Sequence, residues 1–226
     1  MQSGFRRRLS RGVVVMALVM GAVPAGAQVR GLMPADFYKE VTVEDVAMRP
    51  QGDMVAFTVM TIIEKENRRH REIWLQPLAQ GRAAGEAYRF TSPTEDSTQP
   101  RWSPDGKAIA YWQLDATGVR DFLLINDTDS LYSFTVPVQY PKAGTTNSAV
   151  RIGVVGADGG STRWMAVPGE PRDIYLARME WAANSSELVL QHFNRLQNTL
   201  TVLLADAKSG RTSPLLVDTD DAWVDV

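Results

Sequence analysis

Cysteine is absent from the 226 residues, and histidine occurs only twice. The first absence excludes a disulfide framework, a thiolate metal site and a cysteine nucleophile. The second leaves no histidine-rich metal cluster and little histidine for base catalysis. Basic charge is not in excess either. Lys and Arg number 24 against 26 Asp and Glu, so the chain carries no electrostatic footprint for nucleic acid. No apolar run reaches the roughly 20 residues that span a bilayer. Gly156, Gly159 and Gly160 lack the strand–helix context of a nucleotide-binding loop, and no cofactor motif or metal constellation is legible. Long stretches of helical period are scarce. What remains is an ordinary globular composition, 44% hydrophobic and 22% charged, in short runs of strand-forming residues separated by turns.

The first 27 residues read as an address. Arg6, Arg7, Arg8 and Arg11 precede an apolar run from Val13 to Val23, and Ala25-Gly26-Ala27 follows. That order of basic, apolar and small residues is a secretory signal peptide, with cleavage after Ala27. The mature chain then has 20 basic against 26 acidic residues, no membrane span and a periplasmic or secreted location. N-terminal sequencing of exported protein is expected to begin at Gln28; a cytosolic chain retaining Met1 would overturn this.

Several strands can be read locally. Thr42 to Asp45 is expected to open one short helical turn. Met54 to Val59 and Ile73 to Leu75 read as a hairpin whose charged stretch, Glu64 to Glu72, is a solvated tip. Arg151 to Val155 returns as Thr162 to Val167, and Leu200 to Leu204 returns as Pro214 to Val217. Gly in both connecting turns supplies the positive φ that tight hairpins need. Neither turn has the acid spacing of a calcium loop.

A segment recurs three times. Residues 102–111 begin Trp-Ser-Pro-Asp-Gly, residues 48–57 begin Met-Arg-Pro-Gln-Gly, and residues 181–190 begin Trp-Ala-Ala-Asn-Ser. Each is a large apolar residue, a tight turn and a strand. The spacings are 54 and 79 residues. The first suits one four-stranded blade, and the second implies a blade with an insertion. The strands are apolar on both faces, as sheets between neighbouring sheets require. These features predict an all-β fold, a partial β-propeller of repeated four-stranded antiparallel blades over residues 28–226, with a β-sandwich as the alternative. At roughly 45 residues per blade, about four blades are expected. The uncovered faces of the terminal blades predict self-association.

The Trp-Ser-Pro-Asp-Gly corner resembles the repeat of TolB-type propellers and of the prolyl oligopeptidase family. Tyr140-Pro141-Lys142-Ala143-Gly144 with Asn147, Tyr175-Leu176 leading to Trp181, Asn194-Arg195-Leu196-Gln197-Asn198, and Trp223 resemble, in order, the N-terminal propeller of dipeptidyl peptidase IV-type serine peptidases. The likeness covers roughly residues 100–226 and is weak before them.

The resemblance implies a peptide substrate, an α/β-hydrolase domain with a Ser-Asp-His triad, and a propeller that gates and positions peptide N-termini. The nucleophile would lie in a Gly-x-Ser-x-Gly elbow, which this sequence lacks. His70 and His192 lie within propeller segments, so no catalytic residue is assigned. The expectation is a truncated, non-catalytic propeller portion. The alternative is a stand-alone TolB-like periplasmic propeller that binds a partner protein. The family holds the substrate amine with paired glutamates before the blade that corresponds to Trp102. Here Glu95 and Asp96 are the nearby acidic pair. They read either as that substrate-binding anchor or as ordinary loop acids. The family's aromatic-flanked glutamate run is missing, which suggests that a blade or more is absent between residues 60 and 100. Asn194, Arg195 and Asn198 read as hydrogen-bonding groups within and between blades.

Overall fold

The computed structural model describes Gly31 and residues 33–66 and 68–225. The expected signal peptide therefore lies outside the described residues. After a one-turn helix α1 (Pro34–Phe37), everything regular is strand apart from a 3-10 turn at Glu64–Glu66.

Three antiparallel sheets form three blades. Blade 1 contains β1 (Val41–Met48), β2 (Met54–Ile63) and β3 (Arg68–Ala79). Two short strands, β4 (Arg82–Ala83) and β5 (Tyr88–Arg89), share the outer edge of β3. Blade 2 begins with β6 (Asp96–Trp102) and β7 (Ala108–Asp115), and later adds β10 (Ala149–Gly156) and β11 (Arg163–Trp164). Between β7 and β10 a separate hairpin is inserted, made of β8 (Asp121–Asn126) and β9 (Phe134–Gln139). Blade 3 is β12 (Ile174–Trp181), β13 (Glu187–Asn194), β14 (Thr199–Asp206) and β15 (Thr212–Thr219).

The propeller blades expected from the repeat are present, and the long second spacing is the inserted hairpin. The number differs. The described residues form three blades rather than about four, because the hairpin takes the length of most of another blade. Two local expectations also fail. Thr42 to Asp45 is not helical but part of β1, which pairs with β2 at residues 41–44 and 47–48 across a bulge at Asp45 and Val46. Its alternating β-branched residues suit a strand, and no helical periodicity follows to extend a turn. The stretch to Glu72 is not all solvated tip either. Residues 68–72 belong to β3, and His70 and Glu72 are buried.

Alternation in blade 2 feeds two cores. Ile109, Tyr111 and Val155 pack with Ala56, Ile73 and Leu75 of blade 1. Ala110, Trp112, Ile152 and Val154 face the other way and pack with Leu176, Met179, Leu188, Leu190 and Leu203 of blade 3. Successive residues of a strand point to opposite faces, so one apolar run can serve both neighbours.

The repeated corner residue ties each blade to the one before. Trp102 Nε1 donates to the Ala47 carbonyl at 3.0 Å, and Trp181 Nε1 donates to the Arg101 carbonyl at 3.1 Å. Ala47 and Arg101 each immediately precede the repeat position of the preceding blade. The corner loops meet too. Arg49 Nε and Gln51 Nε2 donate to the carbonyls of Gly106 and Asp105, each at 2.8 Å. The Asp105 amide donates to the Ser185 hydroxyl at 2.9 Å. The inserted hairpin is different, with Leu123, Ile125, Leu131 and Tyr132 exposed.

Blade 3 holds the second histidine. Burial keeps the His192 pKa below its ordinary value, and neither ring nitrogen has a hydrogen-bond partner among the described residues. A histidine with a lowered folded-state pKa destabilises the fold as pH falls, because the unfolded chain binds the proton first. Stability from this group is complete above about pH 6.5 and declines as pH drops through the lower folded value. Urea midpoints at pH 7.5 and 5.0 are expected to fall less for His192→Leu than for the parent chain; an equal fall would exclude the effect.

Candidate functional site

The polar residues gather where the chain passes from blade 1 to blade 2. The outer edge of β3 has no strand partner over residues 68–72, and the linker supplies side chains instead. Thr91 Oγ1 accepts from the Ile73 amide at 3.0 Å, and Asp96 Oδ1 accepts from the Arg71 amide at 3.2 Å. Buried backbone donors are thus satisfied without a strand. Asp96 Oδ1 also lies 2.7 Å from His70 Nδ1 and 3.5 Å from Arg68 Nη1. On the far side of the imidazole, Glu72 Oε1 is 3.4 Å from His70 Nε2. Glu72 Oε2 accepts from Arg89 Nε at 3.0 Å and Trp74 Nε1 at 3.3 Å. Two carboxylates therefore clasp a buried histidine, with Arg68 and Arg89 balancing their charge.

This clasp engages only Asp96 of the expected acidic pair. Asp96 bonds to β3 and shares the lining of a ≈ 250 Å³ cavity with Glu95, whereas Glu95 accepts from the Thr94 hydroxyl and also lines cavities of ≈ 390 and 360 Å³ that Asp96 does not reach. The position of β6 after the linker brings Glu95 toward blade 2. There Gln113, Arg151, Tyr111 and Trp164 share the last of these cavities with it. Tyr111 donates to or accepts from Thr162 at 3.0 Å, and burial pushes its phenol pKa up. Arg151 lowers that pKa and Glu95 raises it. Asp115, at the end of β7, is held below its ordinary pKa first by Thr117 and also by Arg172, whose Nη2 is 2.8 Å away.

The family-like residues are structural in the sense expected. Asn194 Oδ1 accepts from the amides of Asn198 and Thr199, both at 3.2 Å. Arg195 donates to the carbonyls of Arg172 at 3.0 Å and Thr145 at 2.7 Å, which ties the loop after the inserted hairpin to blade 3. Trp223 Nε1 donates to Gln197 at 3.1 Å. His70 and the Gln113–Arg151–Trp164 group were not singled out as site residues by sequence. Their only signal is strand alternation, which puts Gln113, Arg151 and Tyr111 on one face of blade 2.

Sheets stacked face to face and joined by a repeated corner define the class as a β-propeller. The family model for the dipeptidyl peptidase IV (DPP IV) N-terminal region matches residues 95–226, and the chain belongs to that family. It is 29% identical over 126 residues to inactive dipeptidyl peptidase 10 of Mus musculus, covering 54% of this chain and 16% of that protein. It is 30% identical over 132 residues to venom dipeptidyl peptidase 4 of Apis mellifera, covering 54% of this chain and 17% of that protein. The chain thus spans about a sixth of the length of these relatives. In fold it resembles the crystal structure of Porphyromonas gingivalis dipeptidyl peptidase 4, with a TM-score of 0.65 at 23% identity, over 81% of this chain and 26% of that one.

Proposed function

We propose that this chain is the non-catalytic propeller portion of an exported dipeptidyl peptidase IV-like serine peptidase. In this reading it gates access to a hydrolase domain and positions peptide N-termini for it. The relatives include one named inactive and one named for venom, so family membership alone does not fix activity. The observation that carries the reading is Glu95, a carboxylate facing cavities of peptide-sized volume beside the blade 1–blade 2 linker. A carboxylate favours a protonated amine over a blocked one. Export rests on residues 1–27 alone.

Calorimetric titration with a free tripeptide and its N-acetylated form tests the reading. The free form is expected to bind at least about tenfold more tightly, about 1.4 kcal/mol. Glu95→Gln should remove the difference. Equal affinities for the two peptides would overturn the proposal. The sequence has no Gly-x-Ser-x-Gly, so the chain by itself is expected to take no stoichiometric serine-directed fluorophosphonate label.

A further inference from the structure

The second charged group of the 360 Å³ cavity is an arginine held in one orientation. Arg151 Nε donates to Gln113 Oε1 at 2.8 Å, and Nη2 donates to the same oxygen. Gln113 is buried, so its amide is a fixed support. The guanidinium carbon lies 3.8 Å from the centroid of the Trp164 ring, which adds a cation–π contact. Trp164 in turn depends on Gly153. A Cβ there would come within 2.7 Å of the indole, so only glycine lets the ring lie against the sheet.

These contacts use one edge and one face of the guanidinium. The end-on edge, Nη1 with the remaining hydrogen of Nη2, has no carboxylate partner among the described residues. That planar fork matches a carboxylate in two parallel hydrogen bonds. Side-chain entropy normally charged to an arginine is already spent, because Gln113 and Trp164 hold it in place. Glu95 lines the same cavity without forming an ion pair with Arg151. Two opposite charges that line one cavity without pairing with each other suit a ligand that carries both.

We infer that Arg151 binds the free C-terminal carboxylate of a short peptide, so that this cavity takes a peptide whose two ends are both free. The inference rests on the reading that the propeller handles peptides, and it adds a recognition element at the opposite end of the ligand. Glu95 faces the ammonium and Arg151 the carboxylate, and the mutually bonded hydroxyls of Tyr111 and Thr162 line the same cavity.

The test is calorimetric titration of the chain with Ala-Ala and with Ala-Ala amide, whose free amine is the same. The acid is expected to bind at least about tenfold more tightly than the amide. R151Q should erase that preference, bringing the acid down to the affinity of the amide. R151K, which keeps the charge but not the fork, should retain only part of it. An unchanged urea midpoint shows that each variant is folded. Equal binding of acid and amide to the parent chain overturns the carboxylate site and leaves the peptide reading standing. A preference that survives in R151Q also overturns it. Binding of neither ligand sinks both.

Discussion

Trp102→Ala is expected to destabilise the chain by about 3–5 kcal/mol, the range for removing a large buried aromatic side chain. Trp102 is 8% exposed and closes the core shared by blades 1 and 2. Its loss also strips the Ala47 carbonyl of its indole donor. Trp102→Phe separates the two effects. Phenylalanine keeps much of the apolar volume but leaves the carbonyl unpaired, at a cost of about 1–3 kcal/mol. Trp223, which is 56% exposed, supplies the control, and its alanine variant should change stability far less. Urea denaturation with a fixed m-value reads all three. A Trp102→Ala midpoint close to that of Trp223→Ala would show that the corner does not join the blades.

The second large effect is expected at Gly210. Its φ is +78°, a conformation that costs a side-chain-bearing residue about 1–3 kcal/mol. A Cβ at this position would also run into the backbone carbonyl of Trp164, which cannot swing aside as a side chain would. The approach is close because the β14–β15 turn docks on blade 2. The Ala166 amide donates to the Gly210 carbonyl at 2.7 Å, and the Thr212 hydroxyl donates to the Ala166 carbonyl at 2.7 Å. Gly210→Ala should therefore cost about 3 kcal/mol or more, as strain and steric overlap add. Gly159 has a φ of +87° but open space around it, so Gly159→Ala should show the strain alone. Equal losses at the two positions would mean that the contact with Trp164 contributes nothing.

The outcome at the candidate site shows how far a strand pattern can be read. Glu95 and Asp96 stand side by side in sequence, which made them the natural anchor pair. Asp96 opens β6, and there the edge of β3 that lacks a strand partner claims it. Nothing within the linker itself signals this, because the demand comes from the Arg71 amide, 25 residues away. The same holds for His70. It sits in a run of basic residues that looks solvated, yet Asp96 and Glu72 enclose it.

Sequence by itself determined the blade corners, both simple hairpins of blades 2 and 3, and the presence of an insertion in the long repeat. Those features are local. A tight turn needs particular φ values, and a strand buried on both sides needs an unbroken apolar run. Tertiary structure decided that β7 pairs with β10 across the inserted hairpin, and that residues 41–48 become an edge strand. It also decided which charged groups are left facing a cavity. A charge in sequence has no fixed partner until sheets stack. Burial then makes every unpaired amide and carboxylate costly, and the packing ties Asp96 and His70 to β3 while Glu95 and Arg151 line one cavity without pairing with each other.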